Sequence, residues 1–246
     1  MRIDLNADLG EGYDDGALMP FLTSVNVACG GHAGDAATMT ATIAAARAHG
    51  LAIGAHPSYP DRESFGRREL GLEPAQIEAT VAEQVRALAA IATGAGAELV
   101  HVKPHGALYN VAARDLRTAR AVVRAVRAVA PTLRLVGLAG SLLVEVATEA
   151  GLATAGEAFA DRRYTANGSL APRSIAGALI ADPLEAAEQA VRIVREREVI
   201  AIGGERIVVH AQTLCLHGDS PGAADIARAV HDRLRGAGVE LRALGG

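Results

Sequence analysis

The chain predicts an α/β fold in which about seven parallel strands close into one irregular β/α barrel. Three observations carry that expectation. Short aliphatic and β-branched runs alternate with Ala-rich segments of helical period along all 246 residues. The length suits a single barrel domain, which typically needs about 250 residues, so one domain is expected over 1–246. Polar and ionisable residues gather where the predicted strands end, and that end is where β/α barrels build their sites. An open, doubly wound parallel sheet is the alternative reading of the same alternation.

The predicted strands are Ile3–Asp8, Val25–Cys29, Ala52–Ala55, Leu99–Lys103, Leu133–Leu138, Ala153–Phe159 and Thr213–His217. Between them the spacing predicts helices over Ala36–His49, Pro74–Thr93, Leu116–Val129, Ser141–Ala150, Pro183–Arg197 and Pro221–Arg235. Pro74, Pro183 and Pro221 stand where a first helical turn tolerates proline, and Gly50, Gly94 and Gly236 stand where helices end. Asp182 and Ser220 are suitable N-caps. Val199–Val209 reads as a hairpin around Gly203-Gly204 rather than a further βα unit. Strands that alternate with helices imply right-handed crossovers and hence a parallel sheet.

Half of the residues are hydrophobic but only 3% are aromatic, with no Trp, so Ala, Val, Leu and Ile must fill the interior. The net charge of −4, with Lys and Arg scattered along helices, gives no basic stripe for nucleic acid. MRIDLNADLG lacks the apolar core of a signal peptide, and no run approaches the roughly 18 apolar residues of a membrane span. Cys29 and Cys215 are too few for a disulfide framework. No membrane association and a cytoplasmic location are the expectation.

In the first strand Asp4, Asn6 and Asp8 share one face, with Ile3, Leu5 and Ala7 on the other. If the aliphatic face meets helices, a row with two carboxylates points into the barrel, an expensive placement without partners. His101, Lys103 and His105 repeat the pattern, as do Thr213, Cys215 and His217 with Asp219 following, and Glu157, Phe159 and Asp161. His56 ends its strand, and His32 follows the second strand through Gly30 and Gly31, where backbone can approach a ligand closely. His49, His210 and His231 read as structural. The glycine-rich NVACGGHAGD matches neither dinucleotide nor Walker A pattern, and no Walker A motif occurs elsewhere.

The motifs DLNADLGEG, NVACGGHAGD, GAHPSYPDRESFGRRE, VKPHGALYN, EAFADRRYTANGSLAPR and LCLHGDSPGA occur in this order from Asp4 to Gly222. Together they resemble the motif series of the LamB/YcsF family. The resemblance implies a distorted barrel akin to that of glycoside hydrolases and polysaccharide deacetylases. It also implies the A component of a three-subunit 5-oxoprolinase, which opens 5-oxo-L-proline to L-glutamate at the expense of ATP with Mg²⁺. Two further subunits, B and C, would be its partners, and the missing P-loop suggests that they help to handle the nucleotide.

Lactam opening needs a base for water, stabilisation of an oxyanion and a proton for the departing nitrogen. The expected catalytic set is Asp8, His32, His56, Lys103, His105, His217 and Asp219. Asp8 or His56 would serve as base with His32 nearby, and Lys103 and His105 would stabilise the oxyanion or bind phosphate. His217 and Asp219 would be an acid and its orienting partner. Lys103 has a second reading as the counter-charge of a buried Asp4 or Asp8. Asn6 and Glu11 are expected at the substrate, and Asp161, Arg162 and Tyr164 on a mobile loop that grips it. Asp8, His32 and His56 could instead hold a divalent metal, making the chain a deacetylase-like hydrolase of a carbohydrate or other amide.

Overall fold

The computed structural model describes residues 1–219 and 222–245. Its strands and helices alternate as β1 (Arg2–Leu9), α1 (Asp15–Leu18), β2 (Ser24–Ala28), α2 (Ala36–Ala48), β3 (Ala52–His56), α3 (Pro74–Gly94) and β4 (Leu99–Val102). They continue as α4 (Gly106–Ala112), α5 (Leu116–Val129), β5 (Arg134–Leu138), α6 (Leu142–Glu149), β6 (Thr154–Phe159) and α7 (Pro183–Glu196). Last come β7 (Glu198–Ile200), β8 (Arg206–Val208), β9 (Thr213–Leu216), α8 (Ala223–Gly236) and β10 (Glu240–Leu241).

Whether the sheet is open or closed is decided at β1. One side of β1 pairs in parallel with β2, Asn6 opposite Ser24, and the other side with β9, Asp4 opposite Thr213. The circuit β1-β2-β3-β4-β5-β6-β9 is therefore a closed parallel barrel, and the open sheet is excluded. Strand β10 adds to the base of β1 through Arg2–Glu240 and Ile3–Leu241. Closure removes exposed edges, so every barrel strand has partners for both of its backbone sides.

The outward residues of β1, Ile3, Leu5 and Ala7, are buried under helices, while Asp4 and Asn6 are buried inside the barrel. α3 packs on α5 and α7 on α8 around this ring. Asp182 caps α7 by accepting from the Glu185 N–H at 2.8 Å. Pro74 opens α3 behind a Glu73–Gln76 capping box. Positions 220 and 221, expected as cap and first turn of the last helix, lie outside the described residues. The hairpin is present as antiparallel β7 and β8, Val199 opposite Ile207. Among the described residues no helix is long and apolar enough to cross a membrane.

Three expectations need correction. The ladder of β4 ends at Val102, so Lys103 and His105 lie beyond the strand; their N–H groups nevertheless bond to the carbonyls of Ala55 and Pro57 at 2.9 and 2.8 Å. Helix α4 was unexpected, because seven residues with Gly106 in a left-handed conformation (φ 55°) give little periodic signal. It buries Ala107, Leu108, Tyr109 and Ala112, and its Gly106, Tyr109 and Asn110 border the cavity at the barrel mouth. Gly31 makes room for protein rather than ligand: a Cβ there would stand 2.5 Å from Gln84 Oε1 and Ser58 Oγ.

Candidate active site

The barrel interior is polar in layers. At the base, Asp4 accepts hydrogen bonds from Thr213, Thr23 and Ser24 at 2.5, 2.6 and 2.9 Å. Burial outweighs these bonds and raises its pKa above the ordinary carboxylate value. Asp4 thus closes the bottom and reaches no cavity. Above it, Asn6 donates to Glu157 at 3.0 Å and to Thr213 at 2.6 Å, and accepts from Asn26 at 2.8 Å. Expected at the substrate, Asn6 is only 2% exposed and is instead a brace beneath the site. Asn26 also donates to Asp8 and accepts from His101 Nε2 at 2.6 Å.

The next layer is an ion cluster. Lys103 Nζ lies 2.9 Å from Asp8 Oδ1, 3.0 Å from Glu157 Oε1 and 3.1 Å from Cys215 Sγ. Burial alone would discharge it, but Asp8, Cys215 and Glu157 hold its pKa well above the ordinary lysine value. Burial likewise opposes charge on Asp8, yet His56 and Lys103 win and keep its carboxyl well below the usual range. Lys103 is therefore the counter-charge of two carboxylates, the second reading of the sequence. Asp4 is not among its partners; Glu157 is. Asp8 keeps a small exposed surface at the cavity floor.

Beside Asp8, four side chains converge. Glu11, His32, His56 and His105 each place one ligand-type atom within 4.8 Å of the others, so the group could hold a metal ion. Glu11 Oε1 lies 2.8 Å from His32 Nε2, 3.4 Å from His105 Nδ1 and 3.9 Å from His56 Nε2. His56 Nε2 is 3.0 Å from His105 Nδ1 and 3.3 Å from Asp8 Oδ2. Burial and the neighbouring Asp8 push the Glu11 pKa up to about 7. Burial and His56 push His32 down to about 3, and His105 falls well below its ordinary value for the same reasons. The expected Asp8–His32–His56 trio is revised, because Asp8 is committed through Oδ1 to Lys103 and Asn26, while Glu11 and His105 enter the group.

On the opposite wall, β6 and β9 are neighbours, with Phe159 facing Cys215 in register. Two residues further on, Asp161 meets His217: Oδ1 is 2.9 Å from Nδ1, and Oδ2 accepts the backbone N–H at 2.8 Å. Phe159 stacks on the imidazole at 5.4 Å between centroids. Burial disfavours the Asp161 charge, but His217 and Arg162 lower its pKa all the same. The orienting partner of His217 is therefore Asp161, where Asp219 was expected. Asp219 instead binds Arg173 at 3.0 and 3.4 Å, and Arg67 through a second ion pair.

Asp161, Arg162 and Tyr164 do not form a mobile gripping loop. Asp161 is fixed behind His217, the Tyr164 hydroxyl accepts the Phe159 N–H at 2.8 Å, and Arg162 donates to the Ala171 carbonyl at 2.7 Å. All three are buried. Arg162 still lines the cavity with Asp8, Glu11, His56, Lys103 and His105. That cavity measures about 570 Å³ and is also bordered by His217, Asp219, Arg67 and Arg173. His32 lies behind it, edge-on to Phe65 and stacked on His105. Arg67 and Arg173 were missed as site residues, although both stand inside motifs that carry the resemblance, GAHPSYPDRESFGRRE and EAFADRRYTANGSLAPR.

The profile described as the LamB/YcsF family matches residues 3–246. The chain belongs to the LamB/YcsF family. It is 52% identical over 248 residues to the A subunit of 5-oxoprolinase from Chloroflexus aggregans, with 98% of each chain covered. It is 49% identical over 249 residues to that of Thermus thermophilus, covering 99% of this chain and all of the relative. The structure of a lactam utilization protein from Thermus thermophilus superposes with a TM-score of 0.93 at 47% identity, covering 99% of this chain and 100% of that one. A deacetylase with substrate gives a TM-score of 0.51 at 14% identity over 98% of this chain and 86% of the other, a likeness of fold.

Proposed function

We propose that this LamB/YcsF chain is the A subunit of an ATP-dependent 5-oxoprolinase, opening 5-oxo-L-proline to L-glutamate together with two further subunits. Relatives about half identical in sequence are A subunits of 5-oxoprolinase, which speaks for a multisubunit assembly here too. The observation that carries the chemistry is His217, held from behind by Asp161, lining the same cavity as ionised Asp8. An imidazole whose Nδ1 is held by a carboxylate presents Nε2 for proton transfer. Lactam hydrolysis needs one group to take a proton from water and one to give a proton to the ring nitrogen.

In the proposed sequence, ATP phosphorylates the lactam oxygen and leaves as ADP. Water, deprotonated by Asp8, adds to the activated carbon. The carbon–nitrogen bond breaks as His217 protonates the nitrogen, leaving an acyl phosphate, and a second water hydrolyses it to the new carboxylate and inorganic phosphate. Arg173 and Arg67 share the single carboxylate Asp219, which leaves one positive charge in excess at the cavity wall for the substrate carboxylate. The sequence lacks a Walker A motif. Phosphoryl transfer with Mg²⁺ is therefore assigned to the partner subunits.

The test is glutamate release from 5-oxoproline. The isolated chain should show negligible turnover, and the chain with both partners, ATP and Mg²⁺ should be active. Efficient ATP-dependent turnover by the chain alone would overturn the division of labour. The deacetylase-like reading draws on the Glu11, His32, His56 and His105 group. It requires ATP-independent release of acetate from an acetylated sugar by the chain alone.

A further inference from the structure

The group beside Asp8 contains a conflict of lone pairs. His56 Nδ1 lies 2.8 Å from the Lys103 carbonyl, and His105 Nε2 lies 2.9 Å from the Phe65 carbonyl. A carbonyl oxygen only accepts, so both of these ring nitrogens carry the proton. In neutral imidazoles the opposite nitrogens, His56 Nε2 and His105 Nδ1, are then bare acceptors. They face each other at 3.0 Å. Their other neighbours, Glu11 Oε1 and Asp8 Oδ2, are carboxylate oxygens at 3.3–3.9 Å. His56 Nε2, His105 Nδ1 and Glu11 Oε1 converge on one spot, with Asp8 Oδ2 beside His56, and such acceptors repel unless a proton or a metal cation sits among them.

The geometry points to a divalent transition-metal site of the zinc type, held by His56 Nε2, His105 Nδ1 and Glu11 Oε1. Zinc bonds to nitrogen and oxygen of about 2.0–2.1 Å give tetrahedral ligand–ligand edges of about 3.3 Å. The three edges here are 3.0, 3.4 and 3.9 Å. Two histidines and a glutamate with one position left for water or substrate are a known donor set for a catalytic zinc. Backbone carbonyls that hold the far nitrogens of both histidines are the outer support such ligands usually have.

His32 belongs outside the ligand set even though it lies within reach. Its ring is parallel to that of His105 (interplanar angle 1°) with centroids 3.6 Å apart. A metal binds in the plane of an imidazole, so one ion cannot lie in both of two stacked planes. His32 Nε2 instead grips Glu11 Oε1 at 2.8 Å. It is a positioning residue that aims the carboxylate.

The inference rests on the proposed reading only in placing the ion at the same cavity, and its test is independent of lactam turnover. The full chain is purified without chelator and its metal measured by mass spectrometry. The chelated chain is then titrated with Zn²⁺ by calorimetry and with Co²⁺ by visible absorption. About one equivalent of bound metal, a tetrahedral Co²⁺ spectrum and a raised melting temperature are expected. His105→Ala and Glu11→Gln should each weaken Zn²⁺ binding by 10-fold or more, and His32→Ala should weaken it less than either. Arg124→Ala, at an exposed position of α5 outside the cavity lining, should bind as the parent does, and Glu11→Gln decides the test if a histidine variant fails to fold. A folded parent chain that binds neither ion, with His56 found as an imidazolium, would overturn the site: a proton would then fill the gap. Metal bound in a chain that still gives no lactam turnover when assembled with both partners, ATP and Mg²⁺ would leave the site standing and sink the 5-oxoprolinase reading. Full turnover with ATP and Mg²⁺ in a complex whose A chain neither contains nor binds a transition metal would do the reverse.

Discussion

Asp161 holds His217 at two points, its ring Nδ1 at 2.9 Å and its backbone N–H at 2.8 Å. The double contact fixes both the tautomer and the direction of the imidazole. Asp161→Asn keeps the size but replaces one acceptor with a donor, which favours the wrong tautomer. Turnover of the assembled enzyme should fall about 10²–10⁴-fold, in the range lost with a positioned acid or base. Steady-state rates, read beside a melting curve, test this. A folded Asn variant within about threefold of the parent rate would remove the dyad from catalysis.

Lys103 is the one cation that bridges Asp8 and Glu157 among the described residues. Lys103→Met removes it, strands the buried Glu157 carboxylate and leaves Asp8 with only His56 and Asn26. A loss of about 3–5 kcal/mol in unfolding free energy is expected. Adding Glu157→Gln should restore part of that loss, because one stranded charge is gone. An unaltered denaturant midpoint in Lys103→Met would show that the cluster is not electrostatically coupled.

How far these contacts were legible in the sequence depends on which strand neighbours which. The Asp4, Asn6, Asp8 row follows from period two alone, and the structure buries Asp4 and Asn6 inside the barrel and leaves Asp8 partly exposed at the cavity floor. The layers it serves do not follow, because depth along the axis depends on register. The dyad shows the limit best. Asp161 and His217 are adjacent only because β6 pairs with β9, with Phe159 opposite Cys215. Between those strands runs an irregular excursion, α7 and the β7–β8 hairpin, which breaks the simple alternation. With Asp219 two residues away in sequence, local spacing favoured the wrong partner. The Glu11 contact was hidden differently: Gly10 and Gly12 both have positive φ, and that turn, not a strand, carries Glu11 to the histidines.

His101 should stay neutral far below the pH at which a free imidazole charges. Burial first, and the Lys103 charge second, push its pKa from 6.5 down to about 3. Between those values the unfolded chain binds a proton that the native chain does not, so this group makes stability fall as pH drops through the window. Side-chain NMR at about pH 5 should show the Nε2–H tautomer, donating to Asn26. An imidazolium signal there would refute the account.

Gly54 leaves the space that His101 fills. A Cβ at this position would stand 2.1 Å from His101 Nε2, a contact that has to be relieved by moving the ring. That movement also breaks the bond to Asn26, which steadies Asp8. Gly54→Ala should cost about 1–3 kcal/mol of stability, as overpacking a filled interior usually does. Gly54→Ala combined with His101→Ala should be milder than the two losses added together. Strict additivity would mean that the two sites do not share the space.

Arg173 divides recognition from chemistry. Its guanidinium meets Asp219 through both terminal nitrogens, at 3.0 and 3.4 Å, while Arg67 pairs with the same carboxylate through Oδ2. Arg173→Ala leaves Asp219 paired with Arg67, so a large stability loss is not expected. What disappears is the excess positive charge proposed to meet the substrate carboxylate. A charge-assisted hydrogen bond contributes about 1.5–3 kcal/mol, which corresponds to roughly 10–100-fold in binding. Such a contact is the same in ground and transition states, so KM should rise by that factor while kcat changes little. A drop in kcat at unchanged KM would instead place Arg173 at the reacting carbon. Parent values for both constants would release Arg173 from substrate binding, and the charge at this wall would then serve only to hold Asp219.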